Sequence, residues 1–216
     1  FLERIKNIVD TETEIKKNGL PTDAQGWTKI KKLGFSDAQL GTLMRVSETN
    51  IRKARHTHKV HPVYKRVDTC AGEIASDTPY MYSCYEGNGM EPAESEIDPS
   101  EKEKIVILGG GPNRIGQGIE FDYCCVHGLL AIKEAGYEAI MINCNPETVS
   151  TDFDMADKLY FEPIFWEHLI EIIELEKPLG VIVQLGGQTA LKLAEKLHKH
   201  GIKIIGTDFK SMDMAE

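Results

Sequence analysis

Lys104-Ile105-Val106-Ile107-Leu108-Gly109-Gly110-Gly111-Pro112-Asn113-Arg114-Ile115-Gly116-Gln117-Gly118 decides the fold of this 216-residue chain. A short run of apolar, mostly β-branched residues ends abruptly in glycine. No polar residue interrupts it from Ile105 to Leu108, the pattern of a strand buried on both faces in a parallel sheet. Apolar residues then recur at helical period over 119–134. Strand, glycine turn and helix make the opening unit of an α/β sheet.

Outward from that unit the alternation continues. Strands are predicted at 139–143, 180–185 and 203–206, with helices at 165–176 and 189–200. Gly136 and Gly201 follow two of the helices, where a left-handed terminating residue is expected. Such alternation implies a parallel sheet with helices on its faces, whose ligands meet the loops at the carboxyl ends of the strands.

Three loops occupy that position. The first holds Gly109, Gly110, Gly111, Gly116 and Gly118, which allow positive φ and close approach to bare backbone. It fails the dinucleotide fingerprint, which needs glycine where Arg114 stands and an acid where Asn143 ends the second strand. It fails the P-loop pattern too, because Gln117 replaces the lysine. The second loop, Asn143-Cys144-Asn145-Pro146-Glu147-Thr148-Val149-Ser150-Thr151-Asp152, brings Glu147 towards the first in a parallel sheet. The third, Gln184-Leu185-Gly186-Gly187-Gln188-Thr189, ends in two glycines with Thr189 placed to cap the next helix. Glu120 and Asp122 open the first helix, where the helix dipole alone accounts for carboxylates. Glu120 and Glu147 could also share the loop crevice as a polar pair.

The first sixty residues read as short helices. Leu2, Ile5, Ile8 and Val9 share one helical face. Thr22-Asp23-Ala24-Gln25 and Ser36-Asp37-Ala38-Gln39 each pair an N-cap hydroxyl with Gln three residues on. A further helix is expected after Ser47, ending before Pro62. Residues 63–86 read as irregular structure, and 87–103, with six carboxylates against Lys102, as an interdomain linker.

Charge narrows the function classes. Residues 1–100 carry 14 Lys/Arg against 15 Asp/Glu, and residues 101–216 carry 11 against 19, so the net −9 lies almost wholly in the second part. That balance excludes an ordinary nucleic-acid binder. The basic stretch from Arg45 to Arg66 includes His56, His58 and His61 without a companion carboxylate or cysteine. It reads as a solvated helix face before a metal or nucleic-acid site. Five cysteines without a C-x-x-C pair support reduced, mostly packing thiols and no metal site. No apolar run approaches the roughly 18 residues of a membrane span. Phe1 stands in place of an initiating Met with no signal pattern behind it, so a piece of a longer cytoplasmic protein is expected.

Together the string from Gly109 to Cys125 and the loops at 143–152 and 184–189 closely resemble the carbamoyl phosphate synthase large-chain family, glutamine-dependent type. The match is to the opening of its second, carboxy-terminal synthetase half. Val67-Asp68-Thr69-Cys70-Ala71 and Thr78-Pro79-Tyr80-Met81-Tyr82-Ser83-Cys84-Tyr85-Glu86 are similar to the family's oligomerisation domain. The resemblance implies an α plus α/β fold: a helical oligomerisation domain over 1–86, a linker over 87–103 and a Rossmann-like pre-ATP-grasp domain over 104–216. It implies a ligase that makes carbamoyl phosphate from bicarbonate, glutamine-derived ammonia and two ATP, for arginine and pyrimidine biosynthesis. ATP, Mg2+ or Mn2+, and K+ would serve the whole enzyme, with none bound here, and no catalytic residue is expected in this section. Partners would be a glutaminase small subunit and other large chains in a homo-oligomer, with neither nucleic acid nor membrane. Gly118, Glu120 and Glu147 match positions lining the family's carbamate passage. Two alternatives remain at this stage. A dinucleotide-binding oxidoreductase domain is opposed by Arg114 and Asn143, and a pure interaction module would leave the α/β half vestigial.

Overall fold

In a computed structural model of the chain, the structure describes residues 1–87, 93–97, 99–112 and 120–215. The polypeptide divides into two compact units, Phe1–Tyr64 with Ser83–Glu96, and Lys65–Tyr82 with Ile97–Glu216.

The first unit is built on four helices, α1 (Leu2–Asn18), α2 (Ala24–Lys32), α3 (Asp37–Met44) and α4 (Glu48–Thr57). Ser36 and Ser47 cap α3 and α4 by accepting from the amides of Gln39 and Asn50. The α2 cap is Asp23, which accepts from Gly26 N, and not the Thr22 hydroxyl expected from the sequence. A carboxylate one residue later reaches the same orphan donors and suits the dipole better. Trp27, Ile30, Phe35, Leu40, Ile51 and Val60 close the core, with Ile15 as the α1 contribution. Beside them sits an ionic cluster. Asp37 accepts from Arg55 Nη2 at 2.8 Å and Lys31 Nζ at 3.1 Å, all three side chains buried. Arg55 Nη1 also donates to Val60 O at 2.8 Å, and the Tyr85 ring lies over both cations. Arg55 is therefore interior, against the solvated-face reading of the basic stretch. His58 stacks on Trp27, and His56 lies 4.2 Å from His61 between ring centroids.

Strands β1 (Val63–Arg66) and β2 (Tyr80–Cys84) fall where irregular structure was expected. Their mixed composition hid them, because Met81 is buried while its neighbour Tyr82 is exposed. The chain continues through β3 (Lys104–Leu108), α5 (Glu120–Glu134), β4 (Glu138–Asn143), a 3-10 turn (Val149–Thr151) and β5 (Lys158–Phe161). Then come α6 (Trp166–Glu176), β6 (Gly180–Ile182), α7 (Gln188–Leu191), α8 (Ala194–Lys199) and α9 (Phe209–Ala215). The strand order is β1-β2-β5-β4-β3-β6, with every pairing from β2 to β6 parallel. All residues of β3 and β4 are buried. Ile105, Ile107, Ala139 and Met141 pack with Cys125, Leu129 and Ile132 of α5 in one core.

Four expectations need correction. The strand at 180–185 stops at Ile182, and 203–206 supplies only a bridge from Ile204 to Val181. The helix at 189–200 is two short helices, and Thr189 lies inside α7, whose N-cap is Gly187 without a side-chain cap bond. β5 escaped the sequence reading because Lys-Leu-Tyr-Phe is too short to show a period. Gly136 and Gly201 take φ of 87° and 70°, the left-handed terminators expected.

Candidate functional site

The carboxyl ends of β3, β4 and β6 converge around one side chain. Asn143, the last residue of β4, is only 2% exposed. Its Oδ1 accepts from Gly111 N at 3.1 Å and from Asn145 N at 3.4 Å, so it joins the first loop to the second. Gly109 N donates to Ile142 O at 2.9 Å. The glycines exist for this proximity. A Cβ on Gly109 would lie 2.6 Å from Asn143 Cγ, and one on Gly186 would lie 2.3 Å from Leu108 O. Gly111, at φ +75°, faces Thr189 Cγ2 at a Cβ distance of 3.4 Å and Cys144 Sγ at 3.9 Å. All three loops singled out in the sequence are thus brought together.

The second loop is held by its own polar groups. Asn145 Oδ1 accepts from Glu147 N at 3.0 Å, closing a local turn. Thr151 donates its hydroxyl to Thr148 O at 2.7 Å and to Asn145 O at 3.1 Å. Asp122 reaches across from α5: its carboxylate accepts from Ser150 N at 3.0 Å and from the Ser150 hydroxyl. Asp122 is therefore a clamp between helix and loop, more than the simple dipole partner that its position suggested. Sequence reasoning missed that role, and the signal was slight: an acid at the helix start and an N-cap-type Ser in a loop. It also took Asn143 only as a missing ribose acid. In the third loop, buried Gln184 Oε1 has no hydrogen-bond partner among the described residues, while its Nε2 faces Thr207 Oγ1 at 3.5 Å.

Glu120, first residue of α5, and Glu147 both expose their side chains. Gly110 is half-buried and Gly187 buried at the turn into α7. Arg114, Gly116 and Gly118 lie outside the described residues. Burial pushes the Cys144 thiol up, and pushes Cys125 up to about 12 with the Asp122 charge adding to it, so neither is a ready nucleophile. All five cysteines are free; Cys125 is buried, Cys124 is exposed, and Cys70, Cys84 and Cys144 lie between.

What this arrangement can bind is limited by its own bonds. Gly109 and Gly111 have amides committed to Ile142 and Asn143, which removes two donors a phosphate would use. A buried Asn at the end of β4 offers no carboxylate to a ribose. The described loop ends suit a tightly built wall better than a nucleotide cradle.

Residues 101–214 match the carbamoyl phosphate synthase preATP-grasp domain family, and residues 1–59 match the carbamoyl-phosphate synthetase large chain oligomerisation domain. The chain belongs to the carbamoyl phosphate synthase large-chain family. It is 58% identical over 217 residues to the carbamoyl phosphate synthase large chain of Pseudomonas aeruginosa, covering 100% of this chain and 20% of that one. Identity to the large chain of Rhizobium meliloti is 56% over 220 residues, covering 100% and 19%. To that of Vibrio cholerae it is 56% over 217 residues, covering 100% and 20%. The chain spans about a fifth of the length of these relatives. Family membership accounts for the α plus α/β architecture and leaves the dinucleotide alternative without support. Among the described residues, no helix is long and apolar enough to cross a membrane.

Proposed function

We propose that this chain is a section of a glutamine-dependent carbamoyl phosphate synthase large chain, with residues 1–86 serving assembly and residues 104–216 forming part of the carbamate passage. The whole protein would be a cytoplasmic ligase that joins bicarbonate, glutamine-derived ammonia and two ATP, feeding arginine and pyrimidine synthesis. A glutaminase subunit and further large chains would be its partners. ATP, Mg2+ or Mn2+, and K+ would bind elsewhere in the longer chain, since the amides of Gly109 and Gly111 are already engaged.

The observation that carries the reading is the convergence of the three family-like loops on Asn143 and Gly111. Glycines let the strands and loops of such a wall close tightly on one another, and Glu120 on α5 and Glu147 on the second loop would offer it exposed carboxylates. Arg114 would supply a charge-assisted contact to substrate or to a neighbouring carboxylate. The test is Gly118→Trp in the intact enzyme, which should suppress both glutamine- and ammonia-dependent synthesis at least ~10-fold, about 1.4 kcal/mol in barrier. Unchanged synthesis from both nitrogen sources would remove the passage assignment. The 216-residue chain alone should form no ATP from carbamoyl phosphate and ADP.

A further inference from the structure

Helix α2 carries Lys29, Lys31 and Lys32 in its last turn. Lys31 is neutralised by Asp37 in the buried cluster. Among the described residues Lys29 has no ion-pair partner, and Lys32 Nζ donates only to the Gly87 carbonyl, at 2.6 Å. Residues three apart on a helix are neighbours, so two like charges stand side by side and repel. Glu14 and Asp23 line an adjoining cleft with Lys29 but do not pair with it.

Both lysines border a second cleft, of about 410 Å³, whose walls include Asn7, Gln25, Thr28 and Leu33. No carboxylate lines it among the described residues. Thr28 is only 6% exposed, and its hydroxyl has no hydrogen-bond partner among the described residues. It lacks even the carbonyl four residues back that Thr11 and Thr42 use on their helices. A buried hydroxyl left unbonded is costly, and a ligand oxygen in the cleft would satisfy it. The donor set fits one chemistry. Ammonium groups, a hydroxyl and carboxamide N–H groups all donate to oxygen, and two cations suit a doubly charged oxyanion. The carboxyl end of α2 opposes an anion with about half an elementary charge, which two unneutralised lysines outweigh. The volume falls within the roughly 300–1,000 Å³ of small-molecule sites, and Leu33 gives an apolar wall to whatever carries the anion.

We propose that this cleft of the helical unit binds the phosphate group of a small ligand, with Lys29 and Lys32 holding its charge and Thr28 donating a hydrogen bond. None of its residues belongs to the three loops, so the site stands or falls apart from the carbamate passage. Amide chemical shifts of the 216-residue chain test it, in titrations with inorganic phosphate and, separately, phenyl phosphate, each against sodium chloride of equal ionic strength. Saturable shifts should centre on residues 25–33, with a dissociation constant on the order of millimolar. Lys29→Gln with Lys32→Gln should weaken binding at least ~10-fold. Thr28→Val, which keeps the shape and removes the hydroxyl, should weaken it at least ~3-fold. Unchanged amide signals of Leu40 and Ile51, in the same helical core, report an intact fold in each variant. Tighter binding of phenyl phosphate assigns the cleft to a phosphorylated organic ligand, and equal binding assigns it to free phosphate. Shifts that chloride reproduces, or that persist undiminished in either variant, overturn the proposal.

Discussion

Asn143 shows how one buried amide can replace a motif. Its Oδ1 serves two backbone donors, and its side chain fills the space that a Cβ on Gly109 would need. Asn143→Leu keeps the branched outline, with bulkier methyl groups, and leaves Gly111 N and Asn145 N without their acceptor, which should destabilise the fold by about 1–3 kcal/mol or more. Chemical denaturation of parent and variant checks this, and an unchanged midpoint would mean that other groups bind the two amides. Gly186 and Gly136 separate contact from conformation. Alanine at Gly186 drives a methyl into Leu108 O, whereas at Gly136 nothing lies within 4 Å and only the φ of +87° resists. Gly136→Ala should cost about 1 kcal/mol, and Gly186→Ala clearly more, up to roughly 3 kcal/mol, because backbone must shift. Equal melting-temperature losses would contradict the close approach of the third loop to β3.

At the scale of elements, the amino-terminal end of the sheet is held by charge. Glu176, at the end of α6, receives Lys104 at 2.9 Å, Lys158 at 3.0 Å and the Tyr160 hydroxyl. Burial alone would raise its pKa, but the hydrogen bond from Tyr160 and the bonds and charges of the two lysines outweigh burial and hold the carboxyl below its ordinary value. The unfolded chain therefore takes the proton first as pH falls. The stability contributed by ionised Glu176 is complete above about pH 5 and fades as pH drops through the lowered folded value. Glu176→Gln, which strands the buried Lys104, should cost about 3–5 kcal/mol at pH 7. The gap between parent and variant should narrow steadily below about pH 5 in urea titrations; a gap constant with pH would show that the carboxylate charge is irrelevant. None of this cluster was legible in the sequence, because its members lie up to 72 positions apart. Legible features were those carried by consecutive residues: the unbroken apolar runs of β3 and β4, and the Ser36 and Ser47 caps. Gly136 and Gly201, each ending a helix, belong with them. β5 and the break between α7 and α8 were not, since tertiary packing decides segments of four residues. The α1 stripe shows a related limit: Leu2, Ile5, Ile8 and Val9 lie on a helix as expected yet are all exposed, because periodicity identifies a face but not what covers it.

For the whole molecule, the −8 balance of residues 101–216 gains meaning only through the passage reading. A carbamate in transit is an anion, and a wall that attracted it would hold it long enough to decompose. Exposed carboxylates at the rim, Glu120 on α5 and Glu147 on the second loop, would instead keep the anion moving and favour hydrogen bonding without capture. Glu147→Lys inverts that charge without touching the loop's anchors Asn143, Asp122 and Ser150, so the loop should keep its shape. In the intact enzyme the expected result is loss of coupling, not of chemistry. ATP consumed per carbamoyl phosphate formed should rise at least ~2-fold, as trapped intermediate is lost and remade. Glu134→Lys, equally exposed at the far end of α5, makes the same charge change away from the loops and should leave the ratio unaltered. A parallel rise in both variants would reduce the effect to general electrostatics. No rise in either would place Glu147 outside the path of the intermediate.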